Sequence, residues 1–209
     1  MSIADLQLSE STRKALLDFL KEKEIEDESH NDIKSEEVYD INLFSENWQL
    51  SQFWYSNETA SAIANESKTD GKVGFISFPS AYMAYKRLFQ SKTTLFEFDE
   101  RFSCFEDFVF YDFNRPTRIN QALHNTFDVL VIDPPFLSDE CLTKMLETAK
   151  LLGTIDCRII ICTGKVMEPL ILNLCGAHLI EFKPNHQKLR LANDFSCFVN
   201  YVSSNKSFT

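Results

Sequence analysis

The chain has 209 residues, of which 44% are hydrophobic and 25% charged, and its formal net charge is −10 at pH 7. This composition is typical of one globular domain, and the acidic surface disfavours non-specific binding of DNA or RNA, although a local basic patch is compatible with it. The six cysteines include no C-x-x-C pair, which argues against a zinc site and against a disulfide framework.

The N-terminal residues are predicted to lie outside the main domain. Apolar residues at helical spacing predict an amphipathic helix over residues 8–23, and residues 22–40, rich in Glu, Asp, Ser and Asn, predict a solvated linker. We therefore divide the chain into an N-terminal helix with an acidic linker (residues 1–46) and a main domain (residues 47–209). No signal peptide is recognised and no apolar run reaches about 18 residues, so we expect a cytoplasmic or nuclear protein without a membrane anchor.

The main domain alternates between apolar strand-like runs and helical patterns. Residues 47–56 contain both tryptophans, either as core or as the roof of a pocket, and Ser56 begins a helix that runs to about Glu66. Strands are predicted over residues 73–78, 94–98, 108–111, 127–132, 158–162, 179–182 and 197–202. Further helices are predicted over residues 82–89, 138–153 and 167–174, where Ser138 begins the second of these and Gly176 ends the third.

This order of elements predicts an α/β fold with a mostly parallel sheet. The apolar run 127–132 requires cover on both faces, as in a buried parallel strand. The last two strands have no helix between them, which predicts an antiparallel edge hairpin joined by a long loop over residues 183–195.

Acidic side chains follow three of the predicted strands. Glu97 and Asp99 follow the second strand, Asp112 and Phe113 the third, and Asp133 the fourth. Ligands of open α/β sheets bind outside the carboxyl ends of the strands, and carboxylates accept hydrogen bonds from a ribose diol or an adenine amino group. Each acid alone is as well explained as a turn former or helix cap, but three in register favour a nucleoside site.

The segment Asp133-Pro134-Pro135-Phe136 is the sharpest chemical signal. Its two prolines remove two backbone donors and fix two φ angles directly after a buried strand. The Asp133 carboxylate and the Pro134 carbonyl can each accept one hydrogen of an amino group and so aim its lone pair, while Phe136 walls the pocket. If a sulfonium methyl group lies in line with this lone pair, the corner promotes methyl transfer by holding the nitrogen in position for attack. A strand end without further function is the alternative.

A lysine substrate adds one requirement to this corner. Its ammonium, with a pKa of about 10.4 in water, must lose a proton before it attacks. Desolvation by Phe136 and Trp54 favours the neutral amine, whereas the charge of Asp133 opposes it. The sequence leaves this balance open.

Other chemistries find little support. A dinucleotide site is the rival for such a sheet, but the turn after the first strand, residues 77–80, contains no G-x-G-x-x-G. The four histidines have no metal-ligand spacing, so no metal is expected. His186 lies near Lys183, Lys188 and Arg190, a basic cluster that faces either an acidic patch of a partner or solvent.

Four segments together resemble one eukaryotic family. They are SQFWYS at residues 51–56, DPPF at 133–136, CTG at 162–164 and LANDF at 191–195. From about Leu8 to Tyr201 the chain is similar to methyltransferases first labelled adenine-specific DNA methyltransferases and later understood as lysine methyltransferases of translation elongation factor 1-alpha. The resemblance implies a Rossmann-like, seven-stranded, S-adenosylmethionine-dependent methyltransferase fold.

The resemblance also implies roles for individual residues. Glu97 would hold the ribose of S-adenosyl-L-methionine, with Asp99 as the second candidate, and Asp112 and Phe113 would hold its adenine. The turn departs from the glycine-rich motif of most methyltransferases, and the residues that would replace it at the methionine end are Ser77, Pro79 and Ser80. The target amine would lie against Asp133, Pro134, Pro135 and Phe136, and Asp133 would also contact the cofactor. The residues on the substrate side would be Phe53, Trp54, Phe136, Lys188 and Asn193.

Three functions stay open at this level. The first is methylation of a lysine of elongation factor 1-alpha by a cytoplasmic monomer, and the second is methylation of adenine in DNA or RNA through the same corner. The third is a degenerate cofactor-binding module that docks a partner, because the glycines of the usual motif are absent. Salt-dependent binding in a basic groove would mark the second function.

Overall fold

The computed structural model describes residues 39–89, 91–188, 194–205 and 208. The predicted N-terminal helix and most of the predicted linker lie outside these residues, as does Asn193. The described residues belong to one compact unit that begins at Tyr39. Residues 39–46, which the sequence places in the linker, are part of this unit: Ile41 is 5% exposed, and Tyr39 and Phe44 pack against the core.

Seven strands and four α-helices make up the described part of the chain. The strands are β1 (Val73–Ile76), β2 (Thr93–Glu97), β3 (Phe108–Phe110), β4 (Phe127–Ile132), β5 (Gly153–Gly164), β6 (His178–Leu179) and β7 (Phe195–Val199). The helices are α1 (Asn57–Glu66), α2 (Pro79–Phe89), α3 (Asp139–Leu152) and α4 (Glu168–Cys175). Short 3-10 turns include Ile41–Leu43, Trp48–Leu50 and Glu100–Cys104.

Local signals set most helix boundaries. The Ser56 hydroxyl accepts from the Thr59 backbone N–H at 3.2 Å and begins α1, and the Ser138 hydroxyl does the same for Cys141 and begins α3. Gly176, with a φ of 68°, ends α4 in the left-handed conformation that glycine adopts without strain. These three boundaries agree with the prediction.

The strands form one sheet in the order β3-β2-β1-β4-β5-β7-β6. The first five are parallel, and β7 is antiparallel to both β5 and β6. The predicted Rossmann-like sheet with an antiparallel edge hairpin is therefore confirmed. β6 is shorter than predicted because it lies at the edge and pairs only with β7. β5 is longer because β4 and β7 pair with it on opposite sides.

Helices cover both faces of the sheet, as the apolar run of β4 requires. Val129 and Val131 face the core that α1 and α2 cover, while Leu130 and Ile132 face the core that α3 and α4 cover. Within the described residues, no helix is long and apolar enough to cross a membrane. Between β1 and β4 the order of the strands reverses, and this is where open α/β sheets bind ligands.

Candidate active site

A cavity of about 350 Å³ lies at the carboxyl ends of β1, β2, β3 and β4. The predicted site residues that line it are Phe53, Trp54, Ser77, Pro79, Ser80, Glu97, Asp112, Phe113, Asp133, Pro134, Pro135 and Phe136. Asp99 and Lys188 do not line it, and Asn193 lies outside the described residues. The sequence analysis assigned no individual role to several other lining residues, among them Gln52, Tyr55, Phe98, Tyr111, Asn114 and Phe195, although Gln52, Tyr55 and Phe195 belong to segments that carry the family resemblance.

The DPPF corner extends from β4 into this cavity. The Asp133 backbone N–H donates to the Ile76 carbonyl at 3.1 Å, which fixes the corner to the end of β1. Pro134 is buried, whereas Phe136 is 43% exposed and its ring lies 5.8 Å from that of Phe113. The corner thus has a buried, rigid floor and an aromatic wall open to the cavity.

Asp133 is half-buried and lines the cavity. Burial raises its pKa well above the usual range, and the negative charge of Glu97 acts in the same direction. The Tyr55 hydroxyl donates to Asp133 Oδ1 at 2.8 Å and partly opposes this rise. Tyr55 belongs to the SQFWYS segment, and that membership was the only sequence signal for it.

Glu97 lies at the end of β2 and is 4% exposed. Burial raises its pKa to about 7, and the backbone N–H groups of Asp99 and Phe98, which donate to Glu97 Oε1 at 3.0 and 2.8 Å, lower it. The carboxyl group is therefore held in one orientation beside the cavity and changes charge near neutral pH.

Asp99 has a different environment. Its carboxylate accepts from the Arg101 guanidinium at 2.6–3.0 Å and from the Arg101 backbone N–H at 3.0 Å. Arg101 also donates to the Ser45 carbonyl and to the Gln52 side chain, so it connects the end of β2 to the segment before α1. Asp99 thus orders this connection and does not present a carboxylate to the cavity.

The turn after β1 contains no glycine, although one of its residues has a left-handed backbone conformation. Ser77 has a φ of 52°, which is the left-handed conformation usually taken by glycine, and its N–H donates to the Phe96 carbonyl at 2.8 Å. Pro79 begins α2, a position where its missing N–H costs no hydrogen bond. The Ser80 hydroxyl accepts from the Tyr55 backbone N–H at 3.3 Å.

The loop between β6 and β7 is joined to the segment before α1 over the cavity. The Ser56 N–H donates to the Asn185 carbonyl at 2.7 Å, and the Gln187 N–H donates to the Trp54 carbonyl at 2.8 Å. Between these bonds the His186 ring lies 4.1 Å from the Tyr55 ring. Burial lowers the pKa of His186 to about 4, so at neutral pH it is an uncharged wall of the cavity and not part of a basic cluster.

Trp54 and Phe53 of the SQFWYS segment have different environments, one in the core and one at the rim of the cavity, by which we mean its solvent-exposed edge. Trp54 is 3% exposed, and its indole N–H donates to the Phe44 carbonyl at 2.7 Å, so its side chain is core. Phe53 packs edge-on against Trp48, which is 68% exposed. Lys188 lies 3.7 Å from Glu46 and contributes to the rim rather than to the cavity.

The sequence matches known proteins over nearly its whole length. Residues 46–203 match the family model described as "Probable N6-adenine methyltransferase". The chain is 40% identical to EEF1A lysine methyltransferase 1 of Homo sapiens over 205 residues, which is 94% of this chain and 92% of that protein. It belongs to the EEF1A lysine methyltransferase 1 family. A second relative, Protein-lysine N-methyltransferase EFM5 of Saccharomyces cerevisiae, is 32% identical over 96% of this chain and 94% of that protein.

Solved structures include more distant neighbours of this member of the EEF1A lysine methyltransferase 1 family. One is a SAM dependent methyltransferase from Aquifex aeolicus, 13% identical over 82% of this chain and 97% of that chain, with a TM-score of 0.45.

The cavity of this family member fits S-adenosylmethionine in size and chemistry. Its volume of about 350 Å³ lies within the range of small-molecule pockets, about 300–1,000 Å³. Glu97 and Asp112 supply acceptors at adjacent strand ends, and Phe113 supplies an aromatic surface for a base. Among the residues that the structure describes, no group of His, Cys, Asp and Glu is arranged to hold a metal ion.

Proposed function

We propose that this protein is an S-adenosylmethionine-dependent protein-lysine N-methyltransferase that acts on translation elongation factor 1-alpha. The observation that carries the proposal is the position of the Asp133-Pro134-Pro135-Phe136 corner, which lines the same cavity as the Glu97 and Asp112 carboxyl groups. The names of the relatives, EEF1A lysine methyltransferase 1 and protein-lysine N-methyltransferase, support the lysine and the protein substrate.

Residues at the ends of three strands, β1, β2 and β3, would bind the cofactor. Glu97 would accept from the ribose hydroxyls, and Asp112 would accept from the adenine amino group while Phe113 covers the ring. The turn after β1, with Ser77, Pro79 and Ser80, would hold the methionine end. When bound, S-adenosylmethionine supplies a methyl group on a positively charged sulfur.

The DPPF corner would bind the target amine. Asp133 and the Pro134 carbonyl accept its hydrogens and aim its lone pair, which lowers the entropic barrier of the transfer. Burial of the corner disfavours a charged ammonium and so favours an amine that has lost its proton to solvent, whose remaining hydrogens the ionised Asp133 carboxylate then accepts. The Phe136 ring would exclude water from one side of the bound amine.

The net charge of −10 suits a basic protein surface better than a polyanion. Because elongation takes place in the cytoplasm, we further propose that the enzyme acts there, and that it does so as a monomer, since Glu97, Asp112 and Asp133 of the same chain supply the acceptors assigned to the cofactor and the amine.

One experiment separates this function from its alternatives. The protein is incubated with S-adenosylmethionine carrying a labelled methyl group and, in parallel, with elongation factor 1-alpha, DNA and RNA. Asp133→Ala removes the amine acceptor, and Asp156→Ala removes an exposed carboxylate outside the cavity as the matched control. We expect label on the protein with the wild type and Asp156→Ala, and none with Asp133→Ala. Label on nucleic acid, or cofactor binding without any transfer, would contradict the proposal.

A further inference from the structure

Tyr55 makes a contact that the corner itself does not require. It precedes α1, 78 residues from Asp133 in sequence, yet its hydroxyl donates to Asp133 Oδ1 at 2.8 Å. No other residue that the structure describes donates a hydrogen bond to the Asp133 side chain, so Oδ2 has no protein donor among them. We propose that Tyr55 is a positioning residue for methylation of the target amine: it fixes Asp133 so that Oδ2 faces the incoming nitrogen.

The Tyr55 side chain is held firmly enough for this role. The residue is 1% exposed, and its ring packs against Phe78 and His186 with centroid distances of 4.8 and 4.1 Å. Its backbone N–H donates to the Ser80 hydroxyl. Because the ring is enclosed on two sides and its backbone is fixed, the hydroxyl can point in few directions other than at Asp133.

The orientation of Asp133 matters because a carboxylate without partners rotates about its last bond. Rotation would exchange the two oxygens and scatter the direction in which the amine lone pair points, and a small misplacement of the nitrogen reduces the rate strongly. A phenol suits this role because it donates one directed hydrogen bond while its ring fills the space beside the corner. The inference rests on the proposed function, since it assigns Oδ2 to an amine.

Burial raises the pKa of Asp133 and the same hydrogen bond lowers it, so the bond extends the pH range in which the corner works toward acid. Asp133 must be ionised to accept the hydrogens of the amine, and the Tyr55 bond stabilises the ionised form. The other titratable groups that act on Asp133 or respond to it are Glu97, Cys141 and Cys162. Loss of the bond raises the pKa of Asp133, so the acidic limb of the kcat profile moves to higher pH.

The test compares two tyrosine variants. Tyr55→Phe removes the hydroxyl and keeps the ring. Tyr201→Phe is the matched control, because it also removes a 2.8 Å hydrogen bond from a tyrosine to a carboxylate, that of Glu66, but lies outside the cavity. For Tyr55→Phe we expect kcat to fall at least about tenfold, with the acidic limb moved to higher pH and the Kd of S-adenosylmethionine nearly unchanged. The pH profile of Glu97→Gln shows whether ionisation of Glu97 contributes to the acidic limb of the kcat profile.

A second measurement does not depend on activity. The pKa of Asp133 is read from the carbon-13 shift of its labelled carboxyl group, and it should be higher in Tyr55→Phe than in the wild type and unchanged in Tyr201→Phe. An equal pKa in all three proteins, or a wild-type kcat and pH profile in Tyr55→Phe, would overturn the role of Tyr55. If the wild type methylates no protein amine, the proposed function fails, and the pKa of Asp133 still decides whether Tyr55 controls this carboxyl group.

Discussion

The Arg101 guanidinium donates to both carboxylate oxygens of Asp99, with 2.6 Å between Nη2 and Oδ2 and 3.0 Å between Nε and Oδ1. Glu97, two residues earlier, lines the cavity instead. Two neighbouring acids that the sequence offers for the same role therefore differ in environment: one is a carboxyl group beside the cavity and the other is an anchor for Arg101.

This division predicts opposite effects for two conservative substitutions. Asp99→Asn weakens a charge-assisted contact of a buried residue and should lower the free energy of unfolding by about 2 kcal/mol, with little change in cofactor affinity. Glu97→Gln should lower the affinity for S-adenosylmethionine by about 10-fold or more and cost little stability. Urea denaturation and calorimetric titration measure the two quantities. If the affinity for S-adenosylmethionine falls more in Asp99→Asn than in Glu97→Gln, then Asp99 and not Glu97 binds the ribose.

The pKa of Glu97 predicts a pH dependence of cofactor binding. Burial raises this pKa to about 7, so the protonated form stabilises the fold at acidic pH and that contribution is lost as the pH rises through 7. The ionised form, in contrast, is the better acceptor for ribose hydroxyls and the better partner for a sulfonium. We expect the Kd of S-adenosylmethionine to be up to about tenfold lower at pH 8 than at pH 6. Glu97→Gln should flatten this dependence, and an equally steep dependence in the variant would assign it to another group.

His186 predicts a loss of stability in mild acid. Its pKa is lowered to about 4 by burial, below the unfolded value of about 6.5. The stabilising contribution of the neutral ring is complete above pH 6.5 and is lost as the pH falls toward 4. Between pH 7 and 5 the Tm of the wild type should therefore fall more than that of His186→Gln. His178→Gln, at an exposed histidine of β6, serves as the control and should follow the wild type.

Ser77 predicts an order of stabilities among substitutions. At a φ of 52°, a Cβ atom is strained and a branched one more so. Ser77→Gly should retain the wild-type free energy of unfolding, whereas Ser77→Val should lose about 1–2 kcal/mol. Urea denaturation gives these values. Equal stability of the glycine and valine variants would show that the turn relaxes to a negative φ.

How much the sequence reveals depends on whether a signal is local. The uninterrupted apolar run of β4 and the caps Ser56, Ser138 and Gly176 are local, and the structure has them where they are predicted. Glu97, Asp112 and Asp133 also reach the cavity, because the carboxyl ends of parallel strands share one edge of the sheet.

Contacts between distant segments are not readable in this way. Spacing cannot tell that Arg101 neutralises Asp99, because the contact depends on how the 3-10 turn after β2 folds back. Nor can it tell that His186 leaves the predicted basic cluster and packs on Tyr55, since this contact joins residues that are far apart along the chain. The predicted roles of Lys188 and Asn193 in substrate binding stay predictions.

The most direct test of the central claim is mass spectrometry of elongation factor 1-alpha after incubation with S-adenosylmethionine and this protein. We predict methyl groups on the side-chain nitrogen of a lysine with the wild type, and unmodified substrate with a folded Asp133→Ala variant, which has no side-chain acceptor for the amine. Methylation of the same lysine by Asp133→Ala at the wild-type rate would show that the corner at the end of β4 does not bind the target amine.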